Sequence, residues 1–119
     1  MVLVDTSVWI NHLHTKDSDL ETLLLETEVV CHPFIIGELA CGGIRNRKEI
    51  LSLLSDLPAS PVITQEEHLH FVESNRLMGK GIGFVDTHLL ASARLSRVSL
   101  WTAEKNLIQI ARDLKLSYI

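Results

Sequence analysis

The sequence predicts an α/β protein: a three-layer α/β/α sandwich around a central parallel sheet of about five strands, in one domain spanning residues 1–119. Short apolar runs of strand length alternate with longer stretches of helical spacing. Alternating short apolar strands and helices are the pattern of a parallel sheet covered on both faces. Length and composition agree. A chain of 119 residues, 46% hydrophobic and 22% charged, can bury roughly two-thirds of its unfolded surface without disulfides.

Val2–Val4 is the first strand, and Thr6 or Ser7 opens the first helix. A second helix follows from Asp17, where "DSDLETLLLE" has acids at its start and leucines at Leu20, Leu23 and Leu24. "EVVCH" (28–32) is the second strand. Pro33 suits the first position of the next helix, "PFIIGELACGG", which Gly42 and Gly43 stop. "NRKEILSLLSDL" (46–57) has helical spacing at Ile50, Leu54 and Leu57, with Leu51 and Leu53 spilling off that face. The apolar excess at Leu51, Leu53 and Leu54 predicts a surface that packs on something besides its own core.

"SPVIT" (60–64) is a short strand, and Thr64 with Glu67 makes a capping box for a helix to about Met78. "GKGIG" (79–83) is a loop. "FVDTHLLASARL" (84–95) is a strongly apolar helix, "VSLWT" (98–102) a strand, "EKNLIQIARDLK" (104–115) a helix, and "SYI" a terminal strand.

Composition excludes several classes. Cys31 and Cys41 form no zinc-ligand pattern and read as small buried thiols in a reducing compartment. Met1 lacks a basic flank, Asp5 interrupts the first apolar stretch, and no run approaches the ~18 apolar residues of a membrane span. A cytoplasmic protein is the expectation, with no membrane partner. The net charge of −4 points away from nucleic acid, but its distribution qualifies that. Residues 1–44 carry seven acids and one base, Lys16, whereas residues 45–119 carry ten bases and eight acids.

Four acids stand apart from the crowded acidic surfaces at Asp17–Glu28 and Glu66–Glu73. Asp5 ends the first strand, and in a parallel sheet ligands bind at that edge. Glu38 is the lone charge in the apolar helix "FIIGELA", and Asp86 is the lone charge between Lys80 and Arg94. Glu104 follows the strand "VSLWT" as Asp5 follows the first. Each singly reads best as a helix cap or a partnered core acid. Together, without nearby bases, they repel one another unless a cation neutralises them. All-oxygen ligation suits Mg²⁺ or Mn²⁺ and not zinc.

The histidine pairs His12/His14 and His68/His70, two residues apart, face different sides of a helix and are no metal clips. His88 reads as a packed or surface residue. Gly79–Gly83 lacks the Gly-Lys-Ser/Thr ending of a phosphate-binding loop.

The blocks "VLVDTSVWI", "GELACGGIR", "GIGFVDTHLLASA" and "LWTAEKNL" closely resemble, in order, the four motif blocks of PIN-domain proteins of the VapC toxin type. The resemblance runs from Val2 to the C-terminus. It implies a metal-dependent endoribonuclease, the toxin of a toxin–antitoxin pair, with RNA as substrate and an antitoxin protein and a second copy of the chain as partners. By position it assigns Asp5, Glu38, Asp86 and Glu104 as the catalytic carboxylates. Asp5 and Asp86 would hold Mg²⁺, or Mn²⁺ in its place, with Glu38 and Glu104 acting directly or through water. Thr6 and Thr102 would support the site through their hydroxyls. The family usually has aspartate where this chain has Glu104. The rival reading is a catalytically silent PIN-fold binding module, or an RNA-processing or repair nuclease with no toxin role. A haloacid-dehalogenase-type phosphatase needs a second aspartate two residues after the first, where this chain has Ser7, and a receiver domain needs a phospho-acceptor that "SPVIT" does not offer.

Overall fold

Three parallel strands in the order β2-β1-β3 form the sheet: β1 (Val2–Val4) in the middle, β2 (Val29–Val30) and β3 (Ser99–Trp101) on either side. The computed structural model describes residues 1–119. Register pairs Val2 with Val29 and Val4 with Trp101. Successive side chains of a strand point to opposite faces, yet Val2, Leu3 and Val4 are all buried. Both faces of β1 are therefore covered by helices, as a parallel sheet requires.

The expected third and fifth strands contract to single bridges. Cys31 pairs with Ala59, and Leu100 with Ser117. Around Ala59 the contact consists of Cys31 N donating to Pro58 O and Ser60 N donating to Cys31 O. The next donor toward this segment would be residue 33, and Pro33 has no N–H, so the ladder stops there. The sheet is five segments wide in outline, with three of them strands.

Seven helices connect these strands: α1 (Thr6–His14), α2 (Ser18–Leu25), α3 (Pro33–Ala40), α4 (Arg47–Ser55), α5 (Gln65–Ser74), α6 (Phe84–Ser96) and α7 (Lys105–Asp113). None is long and apolar enough to cross a membrane. Their starts follow local chemistry. Asp17 accepts from Asp19 N and Leu20 N, and Pro33 takes the first position of α3. Thr64 and Glu67 close a reciprocal capping box on α5.

That helix ends at Ser74 and not near Met78, because Arg76 adopts a left-handed conformation (φ 53°). Leu77 N then donates back to Val72 O, and Leu77 is buried. One core of 21 buried residues joins the strands to the inner faces of the helices. Two expectations need correction. Cys31 is buried but Cys41, at the solvent side of the α3 terminus, is exposed. Leu54 belongs to the core, and the unpartnered side chain of α4 is Leu53, 57% exposed.

Candidate active site

From β1 the chain crosses first to β2 on one side and later to β3 on the other. The crevice outside the carboxyl ends of β1 and β3 is therefore the point where strand order switches, the place where α/β sheets bind ligands. Asp5 immediately follows β1 and Thr102 immediately follows β3. Asp5 N donates to Trp101 O at 2.8 Å, which extends the register by one step and sets the two side chains together.

Asp5 occupies the N-cap position of α1, yet its carboxylate accepts no backbone N–H of that helix. It turns instead to two hydroxyls: Thr102 Oγ1 and Ser7 Oγ each donate to Asp5 Oδ2 at 2.8 Å. Ser7 Oγ in turn accepts from Ala103 N, and Thr102 Oγ1 from Glu104 N. These bonds clamp the start of α1 to the segment after β3. Asp5 is buried and Oδ1 takes no hydrogen bond from the protein. That oxygen is not among the sealed polar atoms without a partner, so it stays open at the pocket for another partner.

The other three acids surround it. Thr6 Oγ1 donates to Glu38 Oε1 at 2.6 Å, tying α3 to the start of α1. Asp86, half-buried in the first turn of α6, accepts from Gly83 N through Oδ2 at 3.0 Å. The loop that delivers it needs glycine at position 81, where φ is +77° and a Cβ would meet Asn106 Nδ2 of α7 at 2.5 Å. Glu104 occupies the N-cap position of α7 and, like Asp5, makes no capping bond. Asp5 thus forms the floor, Asp86 the wall, and Glu38 and Glu104 the exposed rim.

No base neutralises this group, since the one ion pair of the molecule joins the N-terminus to Glu28. Burial first, and then the charges of Asp86, Asp5 and Glu38, push the Glu104 carboxyl above the ordinary range. Asp86 is likewise raised by burial, against the bond from Gly83 N, with the charge of Asp5 adding to it. So the four carboxylates feel one another. No three of them form a preassembled ligand cage. They do fit a hard divalent cation by chemistry. The donors are all oxygens, no base competes, and each carboxylate keeps an oxygen that no protein group engages.

Ser7 is the site residue that the sequence alone does not single out. The signal is the unbroken "DTS", in which the two hydroxyls serve two different acids. The histidines stay outside the carboxylate group. His32, His68 and His88 are buried, and the rings of His68 and His88 stack 4.1 Å apart.

Comparison with known proteins agrees with the geometry. Residues 2–113 match the PIN domain family. Over 108 residues the chain is 48% identical to Ribonuclease VapC32 of Mycobacterium tuberculosis, in strain CDC 1551 / Oshkosh and in strain ATCC 25618 / H37Rv alike. The match covers 90% of this chain and 87% of each relative. A parallel sheet that delivers acids to its switch point, on a chain matched almost end to end, belongs to the PIN-domain family, among its VapC-type members.

Proposed function

We propose that this chain is a Mg²⁺-dependent endoribonuclease, with Mn²⁺ able to substitute, and the toxin of a VapBC-type toxin–antitoxin pair acting in the cytoplasm. The observation that carries the reading is the pair Asp5 and Glu104. Both stand where a helix wants a capping side chain, and both leave the cap unmade. The kinship with a ribonuclease supports the same reading.

Asp5 and Asp86 would hold the ion, with Glu38 and Glu104 touching it directly or through water. A divalent ion in such a site polarises a water for attack on a phosphodiester and neutralises charge on the phosphoryl oxygens. The residues of the chain do the positioning. Thr102 and Ser7 fix the Asp5 carboxylate and leave Oδ1 free, and Thr6 holds Glu38 at the rim. Without a cation the pocket repels phosphate, which makes RNA binding next to it metal-dependent.

Mg²⁺ keeps several waters and tolerates little distortion, so the longer Glu104 would engage it through a water. Glu104→Gln then lowers cleavage by about 10- to 100-fold, as loss of an outer carboxylate does. Extra Mn²⁺ restores part of that activity, and Glu104→Asp is tolerated. Single-turnover cleavage across a Mn²⁺ titration checks this. Activity lost at every metal concentration would make Glu104 a direct ligand, and wild-type activity would make it only the first-turn acid of α7.

The partner reading rests on the apolar groove between α1, α2 and α4, about 320 Å³, lined by Trp9, Leu13, Leu24, Ile50, Leu53 and Leu57. An antitoxin covers it and sets a basic side chain into the acidic pocket, where charge complementarity favours one. The active protein is a homodimer. Expression in a bacterium without the antitoxin arrests growth, and Asp5→Asn abolishes the arrest. Harmless accumulation of folded wild-type protein contradicts the toxin role. It leaves an RNA-processing nuclease if the purified chain still cuts RNA, and a binding module if it does not.

A further inference from the structure

Phe84 opens α6, and the residue is 56% exposed although the same helix buries Thr87 through Ala93. Tyr118, which packs on Trp101, is the other aromatic among the exposed large hydrophobic residues. Phe84 is not loose. Phe34 of α3 stacks beside it at 6.0 Å between centroids and 21° between planes. His88 and His68 meet it from below at 4.5 and 5.0 Å, tilted by 58° and 63°. Phe34 in turn rests edge-on against His32 at 4.8 Å and His88 at 4.9 Å. A buried layer of imidazoles therefore holds an exposed aromatic ring in one place.

That place is tied through Phe34 to the helix that carries Glu38. Phe84 and Asp86 share the first turn of α6, although two residues apart they face different sides of it. Phe34 lies one turn before Glu38, about 6 Å along α3 and on the same stripe of that helix. The pocket has little cationic surface from the first third of the chain, where Lys16 is the single base among residues 1–44. Besides phosphate pairing with the basic side chains that residues 45–119 carry, other contacts can add grip on a nucleic acid there. Unpaired bases supply one, because each offers a π-face that stacks on an aromatic side chain whatever its sequence.

We propose that Phe84, braced by Phe34, is a stacking platform that receives an unpaired nucleobase of the RNA beside the carboxylate pocket and so positions the neighbouring phosphodiester. The proposal deepens the ribonuclease reading and rests on it. Phe84 is a positioning residue, outside the chemistry itself.

The test is steady-state cleavage of a single-stranded RNA carrying a site mapped with the wild-type protein. It compares wild type with Phe84→Ala, Phe84→Leu and Phe84→Tyr, and a melting curve of each variant verifies the fold. Phe84→Ala should raise KM by about 5- to 100-fold, the usual loss of a base–aromatic stack, while kcat stays within about threefold. Phe84→Tyr should match wild type and Phe84→Leu should not, since leucine replaces the area without the π-face. The KM ratio should be the same at about 50 and 200 mM salt, because stacking releases no counterions. A KM unchanged in Phe84→Ala, or restored as well by leucine as by tyrosine, overturns the proposal. Loss of a protein complex with KM unchanged assigns the ring to a protein interface and overturns it too. Wild-type protein that cuts no RNA overturns the nuclease reading itself, so the two failures are distinct.

Discussion

Asp5→Asn lowers RNA cleavage at least about a thousandfold, a barrier increase of roughly 4 kcal/mol, and leaves the protein folded. Asparagine keeps an oxygen in place for the Thr102 and Ser7 hydroxyls, so the clamp between α1 and the segment after β3 survives. It removes the charge at the floor of a group that no base balances. Without metal the variant is therefore as stable as wild type or more so, since one repelling carboxylate is gone. With Mn²⁺ the order reverses: binding to the native state raises the melting temperature of wild type and not of the variant. Melting curves with and without Mn²⁺, beside cleavage rates, check both halves. A variant that unfolds, or that cleaves at near wild-type rate, contradicts the assignment of Asp5.

Acid destabilises the protein by about 3 kcal/mol through His32 alone, between pH 6.5 and about 4. This imidazole is fully buried and accepts from Phe34 N through Nδ1. Burial, with the charge of His88 adding to it and a backbone contact at Pro61 opposing, lowers its pKa from 6.5 to about 4. In that window the unfolded chain binds a proton that the folded one refuses, so stability rises with pH. The contribution is complete above about pH 6.5 and gone below about 4, each tenfold difference in proton affinity being worth roughly 1.4 kcal/mol. His68 and His88, also lowered chiefly by burial, act in the same direction. Asp86 and Glu104, being raised, oppose it by losing stability as pH rises, but both are more exposed and more screened. Urea unfolding from about pH 7.5 to about 4.5 should show the fall. His32→Asn keeps an acceptor for Phe34 N without a titrating ring and should flatten the slope, whatever its absolute stability. An unchanged slope would place the titration elsewhere.

The features legible in the sequence are those set by neighbours along the chain. Thr64 and Glu67 close their box within three residues, Asp17 caps within three, and Pro33 needs only the helix after it. The four acids are legible in the same way, because their isolation in apolar segments is a local property. Less legible are the ends of helices. α2, α5, α6 and α7 stop where Thr27, Arg76, Arg97 and Lys115 turn left-handed, and none of these is glycine. The width of the sheet depends on which residue of the 58–61 segment meets Cys31, a fact of register. Within the site, the hydroxyl that holds each carboxylate is settled across 97 residues for Thr102 and Asp5, and across 32 for Thr6 and Glu38. The stacked imidazoles of His68 and His88 come from different helices, and spacing carries no trace of them.

The central claim is that the carboxylates around Asp5 serve a metal that cuts RNA. Purified wild-type protein is incubated with total RNA in Mg²⁺, in Mn²⁺ and in EDTA, and the new 5′ ends are sequenced. The account predicts a discrete set of 5′-phosphate ends with either metal and none in EDTA, with the same set missing from Asp5→Asn in metal. Equal cleavage in EDTA, or no cleavage by folded wild-type protein in either metal, would contradict it.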